Sequence, residues 1–160
     1  MQDAALRAEP PLTQARVTPF PAPAPDARSA PPLSPGERAL LEELRGYARE
    51  AQLSAPMDPM RACRLIEPGD ARAHGRALLR ALGVLAIRPL TFHPRGAEEV
   101  GFDERWLLSL VRALETGDMA SARLLIGGRT GKAGRRVLAW LARGYAERRA
   151  APLDFGTIPD

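Results

Sequence analysis

An all-α fold, a compact bundle of about five to six helices preceded by a disordered N-terminal arm, is what this sequence predicts, and three observations carry it. From residue 34 onward, apolar residues recur every three or four positions, the period of an amphipathic helix. Helix-start signatures stand in front of several of those runs. No two segments alternate apolar and polar residues in the way paired strands require, so helices must pack on helices.

The arm comes first. Nine of the 16 prolines fall within the first 35 residues, in "PPLTQARVTPFPAPAPDARSAPPLSP". Proline and alanine offer little side-chain area to offset the entropy of ordering, so residues 1–33 are expected to be disordered, with polyproline-II character. A solvated spacer is the plainer expectation for it, and docking into an aromatic-lined groove the sharper one. Residues 34–150 then form the helical domain and 151–160 a flexible tail.

Ser34, Pro35 and Glu37 combine a hydroxyl cap, a first-turn proline and an acid three residues after the cap. The helix they open runs to about Gln52 and places Leu40, Leu41, Leu44, Tyr47, Ala48 and Ala51 on one face. Asp58 before Pro59 starts a short helix to about Glu67, which "PGD" at 68–70 ends. From Asp70 to about Ala86, His74, Leu78, Ala81, Leu82 and Leu85 form a stripe, with Arg72, Arg76 and Arg80 opposite. "RPLTFHPRGAEEVGF" reads as an ordered loop or one short extended piece, which Phe92 and Phe102 should pin to the core. Asp103 is expected to cap a helix to about Thr116 carrying Trp106, Leu107, Leu110, Val111 and Leu114. Gly117 and Asp118 turn the chain into a shorter helix over 119–126. The last helix is expected from about Gly134 to Arg149, with Val137, Leu138, Leu141, Ala142 and Tyr145 inward.

Between the last two helices lies "GGRTGK". A phosphate-binding loop of the Walker type needs four residues before its Gly-Lys pair, a hydroxyl after it, and a strand ahead. Here three residues separate Gly127 from Gly131, Ala133 stands at the hydroxyl position, and a helical stretch precedes. The glycines read instead as punctuation: Gly127 or Gly128 as a left-handed helix cap, Gly131 and Gly134 as swivels into the next helix.

Charge is distributed unevenly. Met119 to Arg149 carries a net +7, whereas the rest of the chain sums to −3. An anionic partner would meet this third of the molecule. Arg135 and Arg136 fall in an expected first helical turn, where the helix dipole disfavours cations by roughly 0.3–1 kcal/mol each and a bound anion would offset the penalty. Trp140 lies on the polar face of the last helix among Arg136 and Arg143, where it either anchors a partner or packs under a neighbouring segment of this chain. Arg129, Lys132, Arg135, Arg136, Trp140 and Arg143 are therefore the candidate contact residues for an anion or partner.

No catalytic constellation emerges. His74 sits on an apolar stripe and reads as a core histidine rather than a metal ligand with Asp70, and His93 has no partner in sequence. Glu42 with Glu43, and Glu98 with Glu99, read as solvated charge. No catalytic residue, metal or cofactor is expected. A secretory signal and a membrane span are not expected either, and the single Cys63 fits a reducing cytoplasm. The leading expectation is a non-enzymatic helical interaction module that binds a protein partner. The alternatives are nucleic-acid binding by the basic C-terminal helices and an enzyme acting on an anionic substrate. A seven-residue connector, "GGRTGKA", counts against helix-turn-helix geometry, whose turn has three or four residues.

Overall fold

The computed structural model describes residues 31–151 apart from 57, 65 and 67–69, with the backbone alone at 62–64. The expected disorder of residues 1–30, and the tail after Ala151, lie outside the described residues. Within them the fold is all-α, with six helices: α1 (Pro35–Leu53), α2 (Pro59–Arg64), α3 (Ala71–Leu85), α4 (Phe102–Glu115), α5 (Met119–Arg129) and α6 (Lys132–Ala150).

Local chemistry explains where they start. The Ser34 hydroxyl accepts from the Glu37 N–H while the Glu37 carboxylate accepts from the Ser34 N–H at 2.9 Å, a complete capping box. Asp70 caps α3 by accepting from the Ala73 N–H, and Asp118 caps α5 by accepting from the Ser121 N–H. At the end of α4, Gly117 adopts φ +73°, and the N–H groups of Gly117 and Asp118 donate to the carbonyls of Leu114 and Ala113. That is a Schellman stop, which needs the left-handed residue glycine supplies.

The four long helices form a ring. α3 packs closely on α1 and α6, and α4 also packs on α1 and α6, whereas α1 meets α6 only through side chains such as Tyr47 with Tyr145, and the α3 and α4 backbones do not approach closely. Ion pairs set the directions. Arg45 meets Glu104 and Glu37 meets Arg112, so α1 and α4 are antiparallel. Tyr47 lies against Gly75 and Ala55 against Arg80, so α1 and α3 run parallel. Gly75 faces Tyr145 and Gly134 faces Leu85, which makes α3 and α6 antiparallel. Each parallel pair, α1 with α3 and α4 with α6, is joined by a short return helix, α2 or α5. Leu41, Leu44, Leu78, Leu82, Leu107, Leu110, Leu138 and Leu141 fill the centre of the ring, each at most 1% exposed. Their removal from water is the main stabilising term.

Close packing of α3 on α6 depends on two missing side chains. A Cβ at Gly75 would lie 2.5 Å from the Tyr47 ring, and one at Gly144 would lie 2.5 Å from the His74 ring. Neither distance is sterically allowed, so aromatic rings occupy the space glycine leaves.

Four expectations need correction. Gly127 and Gly128 are helical rather than left-handed caps: α5 continues through Arg129 and ends at Thr130 in extended geometry. α6 starts at Lys132, so the connector is Thr130–Gly131 alone, and Gly134 is a buried helical residue against Leu85. α4 is capped at Gly101, with Asp103 inside its first turn. Finally, Phe92 packs on the core as expected, but Phe102 is 76% exposed.

A polar clamp holds the 86–101 segment instead. Arg45 and Glu104, both fully buried, pair in bidentate fashion at 2.8 and 3.0 Å. Arg45 also donates to the carbonyls of Ala97 and Glu99, and Glu104 accepts from the N–H groups of His93 and Gly101. Arg45 thus makes two hydrogen bonds to Glu104, one to Glu42 and two to loop carbonyls, and Glu104 takes two loop N–H groups besides; that degree of satisfaction is what makes burying two charges tolerable. Burial alone would raise the Glu104 pKa. The Arg45 guanidinium and the two N–H donors outweigh it and hold the carboxyl below its ordinary range.

Candidate functional site

α6 presents one narrow exposed strip. Its buried side comprises Gly134, Leu138, Leu141, Ala142, Tyr145 and Ala146, at helical spacing. Opposite them Lys132, Arg136, Trp140 and Arg143 follow one another at intervals of four, four and three residues, and all are exposed. The structure thus brings four of the six sequence-derived candidates onto one face. Arg129 and Arg135 turn away from it.

Arg129 is spent inside the protein. It is 7% exposed, ion-paired to Asp103, and its guanidinium lies 5.0 Å from the centre of the Phe102 ring and 5.5 Å from that of Trp106. Those cation–π contacts give the exposed Phe102 a partner that is not the core. Arg135 reaches back across the short connector. Its Nη2 donates to the Gly127 carbonyl at 3.2 Å and its Nε to the Thr130 carbonyl at 3.4 Å. A cation disfavoured in the first turn of α6 therefore stands at the C-terminal end of α5, where the dipole favours it. Further carbonyls near the end of α5 are served as well: Leu125 by the Trp106 indole N–H, Ile126 by Thr130, Arg129 by the Ile87 N–H. Arg135 is thereby explained by the fold without an anion.

Trp140 combines both expectations made for it. One face of the indole lies on His74, with ring centres 5.6 Å apart and planes inclined by 39°, while 49% of the residue remains exposed. His74 is itself held from behind. It is 2% exposed, its Nδ1 lies 2.9 Å from the Asp70 carbonyl oxygen, and its ring fills the space beside Gly144. His74 is thus a core histidine, and its ring is the platform on which the indole rests.

Electrostatics on the strip are uneven. Arg143 pairs with Glu147 at 2.6 Å, and that bond raises its pKa further. Arg136 and Lys132 make no hydrogen bond or ion pair among the described residues. Elsewhere in the basic third, Arg149 bridges Glu43 and Glu115. Arg129 and Arg149 are the basic residues of this third that pair with acids of other elements among the described residues, and on this face the free positive charge concentrates at Lys132 and Arg136.

The buried Arg45–Glu104 pair escaped the sequence reading, although a signal existed. Arg45 falls among Leu41, Leu44 and Ala48, and Glu104 among Leu107, Leu108 and Val111, so both occupy apolar-stripe positions. Among the described residues, no group of three histidine, cysteine or acidic side chains could hold a metal ion. No helix among them is long and apolar enough to cross a membrane. No protein-family model, curated protein or solved structure matches the chain.

Proposed function

We propose that the helical domain is a non-enzymatic interaction module that binds a protein partner through the exposed strip of α6. One observation carries the reading: Trp140 is half exposed, yet backed by a buried, hydrogen-bonded His74. A large aromatic surface already fixed in one orientation loses little entropy on binding, which is why such residues dominate interface energetics. Lys132 and Arg136 beside it favour a partner whose apolar pocket for the indole is rimmed by acids. A cytoplasmic setting, which the single Cys63 supports, is part of the same proposal.

Nucleic acid is the competing occupant of the same strip. The Thr130–Gly131 connector is shorter than the three or four residues of a helix-turn-helix, and the free cations are few, so this reading has less support. Chemistry on an anionic substrate has least, because Arg135 is directed at α5 carbonyls.

The test uses the full chain as bait in its native extract, beside Trp140→Ala, Arg136→Glu and, as a control on a different exposed apolar residue, Leu124→Ala. A stoichiometric protein partner retained by wild type and the control, and reduced at least tenfold by the two strip variants, is the expected result. A partner indifferent to Trp140→Ala overturns the assignment. So does salt-dependent binding of labelled DNA or RNA that Arg136→Glu abolishes.

A further inference from the structure

A half-open cleft of about 360 Å³ lies on the other side of α3, between the C-terminal half of α1, the last turns of α3 and residues 90–92. Leu79, Leu82, Leu90 and Phe92 line it together with the small residues Ala48 and Ala51. Among the described residues that line it, Arg80 alone is charged. The Arg80 guanidinium is held in place by donating from Nη2 to the Ala55 carbonyl at 2.8 Å, and among the described residues no acid pairs with it.

Gly83 is the telling residue. Glycine weakens a helix relative to alanine, and elsewhere on α3 the cost has a structural reason, since Gly75 makes room for Tyr47 and Tyr145. At Gly83 no such reason exists. A Cβ there would meet nothing within 4 Å, and its φ is not positive. Gly83 is exposed and lines the cleft, so no side chain at this position narrows its edge.

We propose that this cleft binds a small amphipathic carboxylate, its apolar chain on Leu79, Leu82 and Phe92 and its carboxylate on Arg80. Charge complementarity selects the class: a lone fixed guanidinium beside an apolar lining matches one anionic head on one apolar body. Size limits it as well. At about 30 Å³ per small group, the cleft accommodates on the order of a dozen non-hydrogen atoms. Binding here is independent of the α6 strip, because none of the cleft residues belongs to α6.

Octanoate is the probe, with octanol as its uncharged counterpart, titrated into the full-length protein and followed by backbone and methyl NMR shifts. The expected result is saturable binding of octanoate with shifts centred on Leu79, Val84 and Leu90. Octanol and the Arg80→Gln variant should each weaken it by about tenfold, the worth of a charge-assisted hydrogen bond. Gly83→Leu should fill the cleft and abolish binding without lowering the melting temperature. Absence of saturable shifts overturns the proposal, as do equal affinities for octanoate and octanol or undiminished binding by a folded Gly83→Leu. Should Gly83→Leu melt early, the Arg80→Gln comparison decides alone: unchanged octanoate affinity there overturns the proposal.

Discussion

Two neighbouring arginines, identical in chemistry and both exposed, are assigned opposite roles by what lies within reach. Arg135 can fold back on the carbonyls of Gly127 and Thr130, whereas Arg136, one step of about 100° further round α6, faces solvent beside Trp140. Arg135→Ala should therefore lower stability by roughly 0.3–1 kcal/mol, the worth of a cation at a helix end, and leave partner capture intact. Arg136→Ala should do the reverse, leaving the melting temperature unchanged while weakening capture. Paired thermal melts and pull-downs separate the two, and a binding defect in Arg135→Ala with normal stability would contradict the division. The buried Glu104 is a stronger case. Replacing it with glutamine leaves the fully buried Arg45 guanidinium without its buried counterion and with the partly exposed Glu42 as its remaining carboxylate partner. Breaking such a pair costs about 3–5 kcal/mol, a large fraction of a small domain's stability. Chemical denaturation of Glu104→Gln should read a loss of that order, with increased hydrogen exchange at His93 and Gly101, whose N–H groups its carboxylate accepts.

At the scale of the helix, glycines divide into those that packing requires and those it does not. Gly144→Ala would drive a Cβ into the His74 ring, so it should destabilise by about 1–3 kcal/mol despite alanine's better helix propensity. Gly128→Ala meets open space inside α5 and should stabilise by up to about 1 kcal/mol. Denaturant midpoints of the two variants should move in opposite directions, and a left-handed Gly128 would have made both fall. This division marks the limit of what the sequence disclosed. The helices of the ring, their apolar faces and the cap at Ser34 were legible because each follows from residues within one or two turns. Whether a glycine stops a helix or admits a neighbour depends on residues about 70 positions away, as His74 is from Gly144, and local pattern carries no such information. The same holds at the strip. Its exposed face was legible from the 3.6-residue period, but the commitment of Arg129 to Asp103 and of Arg135 to α5 depended on how α4, α5 and α6 meet.

Across the whole helical domain, α1 is the acidic element that ties the ring together. Glu37 reaches Arg112 of α4, Glu42 accepts from Arg45 and from the Gly96 N–H of the long loop, Glu43 meets Arg149 of α6, and Glu50 meets Arg76 of α3. The basic residues are thus spread over the elements α1 must hold, so the uneven charge of the sequence becomes cross-linking in three dimensions. These contacts depress carboxyl pKa values for different reasons. The Ser34 N–H does so at Glu37 and the Arg76 guanidinium at Glu50; at Glu42 and Glu104 burial pushes upward and is overcome by N–H and guanidinium donors. A carboxyl with a folded pKa below its unfolded value binds fewer protons when folded, so its contribution is complete above about pH 4.3 and is lost as pH falls through the depressed folded value. Thermal stability should therefore be level from neutrality down to about pH 5 and then fall steeply toward pH 3. Salt divides the loss into two parts. The Glu50–Arg76 and Glu37–Arg112 pairs are open to solvent and screened, so raising ionic strength should reduce their share, whereas the buried Arg45–Glu104 share should persist. Melting curves at pH 7, 5, 4 and 3, each at low and high salt, test this directly. An acid transition that disappears at high salt would mean that the exposed pairs, and not the buried clamp, hold the ring together.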